Sequence, residues 1–135
     1  YMKKKYELGG RPGMPPAISK NYSNGVKVGK FIFTAGQAAL NEKGELVGAN
    51  DIRKQTDQTL KNIEGVLKSL GGSLNNVVKV TVWLKNFSDY QGMNEIYVKY
   101  FEEPRPVRAC VQADLVPIFD DDLLVEIEAT AAITD

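Results

Sequence analysis

The sequence predicts an α+β domain in which two helices cover one face of a single mixed β-sheet. Along the 135 residues, two segments repeat apolar residues every three or four positions, which is typical of helices. Other segments alternate apolar and polar residues, which is typical of strands. These segments follow in the order strands, helix, strand, helix and two strands. A chain of this length buries roughly two-thirds of its unfolded surface, so we expect one domain over residues 1–135.

The N-terminal part is predicted to contain only strands and loops. A strand at residues 3–7 and a Gly/Pro-rich loop at 9–16 form an N-terminal arm over residues 1–16. Residues 26–29 and 30–35 predict two strands or one bent hairpin. Asn24-Gly25 is a turn signal near them, and a further turn is expected at residues 41–44.

Capping residues and apolar stripes define the two predicted helices. Asp51 caps the first helix and Gly71-Gly72 ends it. Ser88-x-x-Gln91 reads as a capping box for the second helix, which Pro104 and Pro106 end. The buried stripe of the first is Ile52, Leu60, Ile63, Val66, Leu67 and Leu70; that of the second is Met93, Ile96, Tyr97, Tyr100 and Phe101.

The strand between the helices, at residues 77–85, is apolar on both faces. One predicted face carries Val78, Val80, Val82 and Leu84, and the other carries Val77 and Trp83. A strand with this pattern lies inside a sheet or beneath another subunit.

The two C-terminal strands, at residues 106–111 and 125–130, alternate strictly. Successive side chains on a strand point to opposite faces, so Val107, Ala109 and Val111 share one face of the first. Any half-solvated antiparallel strand shows the same alternation, and that interpretation stays open. We expect the helix-free face of the sheet to carry a mixed set: Trp83, Arg108, Cys110, Glu126 and Glu128.

Composition excludes several classes of function. The chain has 17 basic and 17 acidic side chains and no histidine, which removes Ser-His-Asp and Cys-His catalysis and the common zinc sites. A nucleic-acid partner is not favoured, because only Lys3–Lys5 with Arg11 approaches a basic cluster. The single cysteine allows no intrachain disulfide. No long apolar run is present, so we expect no signal peptide, no membrane span and a cytoplasmic location.

Several motifs, in order along the chain, resemble the RidA (YjgF) family of enamine/imine deaminases. They are the segment 29–37, Met93-Asn94-Glu95-Ile96-Tyr97 leading to Tyr100-Phe101, Arg108-x-Cys110-Val111, and Glu126-Ile127-Glu128-Ala129. The likeness runs from residue 17 to residue 133. It implies a chorismate-mutase-like fold, a homotrimer with an active site in each cleft between subunits, and catalysis without metal or cofactor.

The resemblance also implies roles for individual residues. Arg108 would bind the substrate carboxylate, since a guanidinium offers a planar fork of donors, and Glu126 would position the hydrolytic water. A salt bridge from Arg108 to Glu126 or Glu128 is the structural alternative, and Glu128 is better explained as an ion-pair residue. The remaining substrate-binding candidates are Tyr22, Ala35, Gly36, Asn94 and Cys110.

Many deaminases of the family have serine where this chain has Ala35, so one hydroxyl donor is lost. Cys110 is a pocket-lining residue rather than a nucleophile, because no histidine is present to lower the pKa of its thiol.

The resemblance therefore implies a deaminase that converts an enamine or imine of a small 2-keto acid, such as 2-aminoacrylate or 2-iminobutanoate, to the keto acid and ammonia. The alternatives are a deaminase of a larger enamine, such as 2-aminomuconate, and a non-catalytic, chaperone-like trimer that binds small carboxylates.

Overall fold

The computed structural model describes residues 7–9, 21–116 and 122–134, the first of these as backbone only. Six strands form one sheet in the order β1-β2-β3-β6-β4-β5, and β4 pairs in parallel with β5 while the other pairs are antiparallel. The elements are β1 (Glu7–Gly9), β2 (Gly25–Val28), β3 (Phe31–Thr34), α1 (Ile52–Ser69), β4 (Val77–Leu84), α2 (Tyr90–Tyr100), β5 (Val107–Gln112) and β6 (Val125–Ala132).

Both helices lie on one face of this mixed sheet, which confirms the predicted fold class. The core joins β3, β4 and β6 to the apolar stripes of α1 and α2 in one cluster. Its fully buried side chains include Ile32 of β3, Leu60 of α1, Met93 of α2 and Ile127 of β6. Burial of these faces is the main favourable term in holding helices and sheet together.

The N-terminal part differs from the prediction in its first strand. The first strand was predicted at residues 3–7, and of these only Glu7 is described. Gly9 was predicted to lie in the following loop, but it is the last residue of β1. The rest of the arm lies outside the described residues. The predicted hairpin is present, and its turn is Gly29–Lys30, because Val28 pairs directly with Phe31. Gly29 has a φ of 59°, the left-handed value that glycine adopts without strain at the first position of such a turn.

The first helix begins and ends at the predicted residues. The Asp51 side chain accepts a hydrogen bond from the Lys54 backbone N–H, and Gly71 takes a φ of 84° just after the helix. The capping box predicted at Ser88 is wrong. That residue lies inside a short 3₁₀ turn (Phe87–Asp89), so α2 begins at Tyr90 with Asp89 in the capping position.

β4 is an interior strand, as predicted, but its faces are not those expected at its start. The pairing with β6 shifts by one residue between Val77 and Lys79. Because such a bulge reverses the alternation, Val77 joins the buried face while Val78 is 47% exposed. Val80, Val82 and Leu84 face the helices as expected.

The prediction for the face of β5 is also wrong. In the parallel pairing Arg108 lies beside Val80 and Cys110 beside Val82, whose side chains are buried under the helices. Arg108 and Cys110 therefore point to the helix side of the sheet. The helix-free face receives Val107, Ala109 and Val111 instead, and Val107 is 68% exposed.

No helix in the described part of the chain is long and apolar enough to cross a membrane.

Candidate functional site

The Arg108 guanidinium is held in place by the first turns of α2. Its Nη1 donates to the Asn94 Oδ1 at 2.7 Å, and its Nη2 donates to the Tyr90 hydroxyl at 3.0 Å. The guanidinium carbon also lies 4.7 Å from the centre of the Tyr97 ring, within cation–π range. A long flexible side chain thereby takes one orientation at the edge of the sheet.

Within the described part of the chain, no carboxylate lies beside the charge of Arg108. Both oxygen acceptors are neutral, and among residues 7–9, 21–116 and 122–134 no acidic side chain forms an ion pair with it. The alternative of a salt bridge to Glu126 or Glu128 is not realised within the chain, since those carboxylates belong to the other face. A fixed and half-buried cation of this kind can bind an external anion.

Cys110 lies two residues further along β5 on the same face and packs against the edge of the core. Burial raises the pKa of its thiol, and the nearby positive charge of Arg108 only partly opposes that rise. A thiol that stays protonated at neutral pH is a poor nucleophile, which supports the interpretation of Cys110 as a lining residue.

The Glu126 carboxylate lies on the helix-free face, directly against Gly36. A Cβ atom placed on Gly36 would be 2.8 Å from the Glu126 Oε1 and 2.9 Å from its Cδ. The next residue, Gln37, exchanges two backbone hydrogen bonds with Ile127, of 2.7 and 3.0 Å. A side chain at residue 36 would therefore displace the Glu126 carboxylate, and the backbone of the 35–37 segment is fixed beside that carboxylate.

The environment of Glu126 favours its neutral form. Burial raises the pKa of its carboxyl, and repulsion from Glu128, two residues along the same strand, raises that pKa further. Trp83 is its cross-strand neighbour on β4. A carboxyl whose pKa moves toward neutrality is suited to exchange protons with a bound water.

The segment that carries Ala35 and Gly36 is anchored from both sides. The Ala35 N–H donates to the Asn24 carbonyl at 2.8 Å. The Asn62 side chain of α1 donates to the carbonyls of Ala38 and Leu40, at 2.8 and 2.9 Å. These contacts connect a loop of the site to the rigid helix.

Tyr22 lies two residues before Asn24 and is 51% exposed. Asn24 contacts the Ala35 segment, but no described contact joins Tyr22 itself to the other candidate site residues.

The predicted site residues thus form two separate half-sites. The arginine half-site consists of Arg108, Asn94 and Cys110 on the helix side; the glutamate half-site consists of Glu126, Gly36 and Ala35 on the helix-free side. β4 lies between β5 and β6, so two strand spacings, about 10 Å, and the thickness of the sheet separate the two charged groups. One small molecule does not contact both half-sites in the same chain.

Sequence reasoning missed Tyr90 and the ring contact of Tyr97. The signal was present, because Tyr90, Asn94 and Tyr97 recur at four- and three-residue spacing and therefore share one face of α2. In the described residues, no group of three or more acidic or cysteine side chains is placed to hold a metal ion.

These features define a class: a small α+β protein with a fixed arginine, without an ion-pair partner among the described residues, at one sheet edge and a half-buried carboxylate beside a glycine on the opposite face. The sequence model of the family described as Endoribonuclease L-PSP matches residues 14–133. The chain belongs to this family, which is the RidA/YjgF family that its motifs resemble.

Similar proteins come from several kingdoms. A RutC family protein of Pyrococcus abyssi is 47% identical over 111 residues, which are 82% of this chain and 84% of that protein. The 3-aminoacrylate deaminase RutC of Acinetobacter baylyi is 34% identical, covering 88% of this chain and 91% of its own. The crystal structure of E. coli TdcF with bound serine is 30% identical with a TM-score of 0.82, over 95% of this chain and 99% of that one.

Proposed function

We propose that this protein is a cofactor-independent deaminase that hydrolyses small enamine or imine carboxylates to 2-keto acids and ammonia. The observation that carries the proposal is the Arg108 guanidinium, which is fixed by neutral acceptors and has no carboxylate beside it among the described residues. A carboxylate offers two oxygens at the spacing of two guanidinium N–H groups, so a small organic acid is its natural ligand.

In the proposed reaction, Arg108 binds the carboxylate of the substrate and Glu126 orients a water. Protonation of the terminal carbon of the enamine gives the imine. The water oxygen then forms a bond to the C=N carbon while a water proton passes to the Glu126 carboxylate, whose raised pKa suits it to accept and return a proton. That proton moves to the nitrogen and gives a carbinolamine. The hydroxyl proton of the carbinolamine then passes through the Glu126 carboxylate to the nitrogen, and the O–H electron pair forms the C=O bond. The C–N bond breaks, and ammonia leaves with the C–N electron pair.

The site that performs this reaction lies between two copies of the chain in our proposal, because one chain keeps its two half-sites apart. The helix-free face has the apolar character of an interface: Phe31 is 51% exposed and Phe33 is 44% exposed on it, with Val28, Val107 and Val111 on the same face. We propose that these faces meet in a homotrimer. Sedimentation equilibrium tests this: wild type should be a trimer, and Phe33→Asp should shift it toward monomer.

Two of the similar proteins bear on the substrate. One is named for 3-aminoacrylate, an enamine with a carboxylate, and TdcF has been crystallised with serine, which carries a carboxylate next to an amine. Both ligands have the charge that Arg108 requires. Ala35 lacks a hydroxyl and so leaves more room beside Gly36 than serine would, which keeps 2-aminomuconate as the candidate larger substrate.

The test is ammonia and keto-acid release from 2-aminoacrylate generated in situ by a dehydratase, with 2-iminobutanoate, 3-aminoacrylate and 2-aminomuconate as parallel substrates. We compare wild type, Arg108→Ala and Glu126→Gln. Wild type should accelerate release from at least one of the small substrates, and both variants should lose that acceleration.

Arg105→Ala is a matched control, because it removes a guanidinium that instead pairs with Glu103 and the Phe101 carbonyl. Its activity should remain close to wild type. If only 2-aminomuconate is turned over, the larger-enamine alternative replaces our proposal. If no substrate is turned over but 2-oxobutanoate raises the melting temperature of wild type alone, the chain is a carboxylate-binding protein.

A further inference from the structure

The Tyr90 hydroxyl contacts the group that we assign to substrate binding. Tyr90 is the first residue of α2, and its hydroxyl oxygen accepts from the Arg108 Nη2 at 3.0 Å. Its ring stacks edge-to-face on Phe87, with ring centres 5.0 Å apart, so the ring position does not depend on the hydroxyl. The hydroxyl is therefore a contact that can be removed without disturbing the ring.

The hydrogen bonds from Arg108 to the described residues use Nη1 and Nη2 but not Nε. Nη1 is engaged by the Asn94 Oδ1 at 2.7 Å and faces the Met93 sulfur at 3.9 Å. Nη2 carries two N–H groups and gives one to Tyr90. No acceptor among residues 7–9, 21–116 and 122–134 takes the Nε–H. In a guanidinium the Nε–H and the Nη2–H on its side are parallel, and such a pair can form a bidentate fork for a carboxylate.

We infer that Tyr90 is a positioning residue that turns the Nε–Nη2 edge of Arg108 toward the substrate carboxylate. This inference rests on the proposed function, since it assigns a partner to Arg108. Asn94 fixes one end of the guanidinium, but a plane held at one end still rotates about the side-chain axis. The Tyr90 hydroxyl holds the second nitrogen and so fixes the direction of the fork. Because the guanidinium is already oriented before the ligand binds, less side-chain entropy is lost on binding.

The test compares Tyr90→Phe with Tyr100→Phe. The two variants make the same chemical change in the same helix, but the Tyr100 hydroxyl donates to Asp57 of α1 and does not contact Arg108. For each variant we measure the dissociation constant of 2-oxobutanoate by calorimetry, kcat and KM for the imine substrate, and the melting temperature.

Tyr90→Phe should raise both the dissociation constant and KM by roughly fivefold, while kcat stays within about twofold, because one hydrogen bond to a charged group used equally in ground and transition states is lost. Tyr100→Phe should change neither binding constant, although its melting temperature falls.

Equal dissociation constants for Tyr90→Phe and wild type would overturn the inference, as would a wild type that binds no 2-oxobutanoate. The proposed function fails separately, when wild type releases no ammonia. Binding of 2-oxobutanoate still decides the role of Tyr90 in that case.

Discussion

Replacing Gly36 with alanine would place a methyl group against the Glu126 carboxylate. The new Cβ would lie 2.8 Å from the Oε1, whereas ordinary contact begins near 3.4 Å, so the carboxylate must move by about 0.6 Å or more. A misplacement of about 1 Å in an active site can cost roughly 100-fold in rate. We therefore expect kcat to fall about tenfold to 100-fold, or roughly 1.4 to 2.7 kcal/mol in the activation free energy.

KM should change less than about twofold, because the carboxylate-binding Arg108 belongs to the other half-site and is not displaced. The assay is steady-state ammonia release, read together with the melting temperature. Gly72→Ala is the matched control: its Cβ would lie 2.7 Å from the Ile32 Cδ1, a comparable overlap inside the core. It should lower stability by about 1 to 3 kcal/mol and leave kcat unchanged. A Gly36→Ala variant that keeps wild-type kcat would refute the assigned role of Glu126.

Two further predictions concern stability. Burial raises the pKa of Glu126 above its ordinary value of 4.5, so the stability that this group contributes is fully present below that pH and is lost as pH rises through the raised pKa. Glu126→Gln should therefore melt higher than wild type at pH 7 and equally at pH 4, and a lower melting temperature at pH 7 would contradict the burial argument. Asn62→Ala should lower the free energy of unfolding in urea by roughly 2 to 3 kcal/mol, because the carbonyls of Ala38 and Leu40 lose their donor; a change below about 0.5 kcal/mol would show that water replaces it.

The parts of the fold that local chemistry determines could be predicted from the sequence. Asp51 caps α1 and Gly71 follows its end because both effects act within one turn of the chain. The prediction of a capping box at Ser88 was wrong although the sequence has the pattern. A 3₁₀ turn occupies Phe87–Asp89, so α2 begins only at Tyr90.

The face on which a strand residue lies could not be predicted in the same way. Alternation shows that Arg108 and Cys110 share a face but not which face it is. The parallel register with β4, which aligns Arg108 with Val80, decides that. Apolar Val107 and Val111 favoured the opposite assignment, and in the structure they lie on the exposed, helix-free side.

The contents of the site were only partly accessible from the sequence. Gly36 and Glu126 were both proposed from family resemblance, but their contact joins residues 90 positions apart and needed the fold. The role of Tyr90 was missed because its hydroxyl has no partner until Arg108 is turned toward α2.

In the proposed homotrimer, Arg108 of one copy and Glu126 of another form each active site. Mixing inactive Arg108→Ala and Glu126→Gln chains, refolded together at equal amounts, tests this directly. Random assembly places an intact arginine beside an intact glutamate in about one site in four, so roughly a quarter of wild-type deaminase activity should return. A mixture that stays inactive, although wild type refolded in the same way is active, would contradict a site shared between copies.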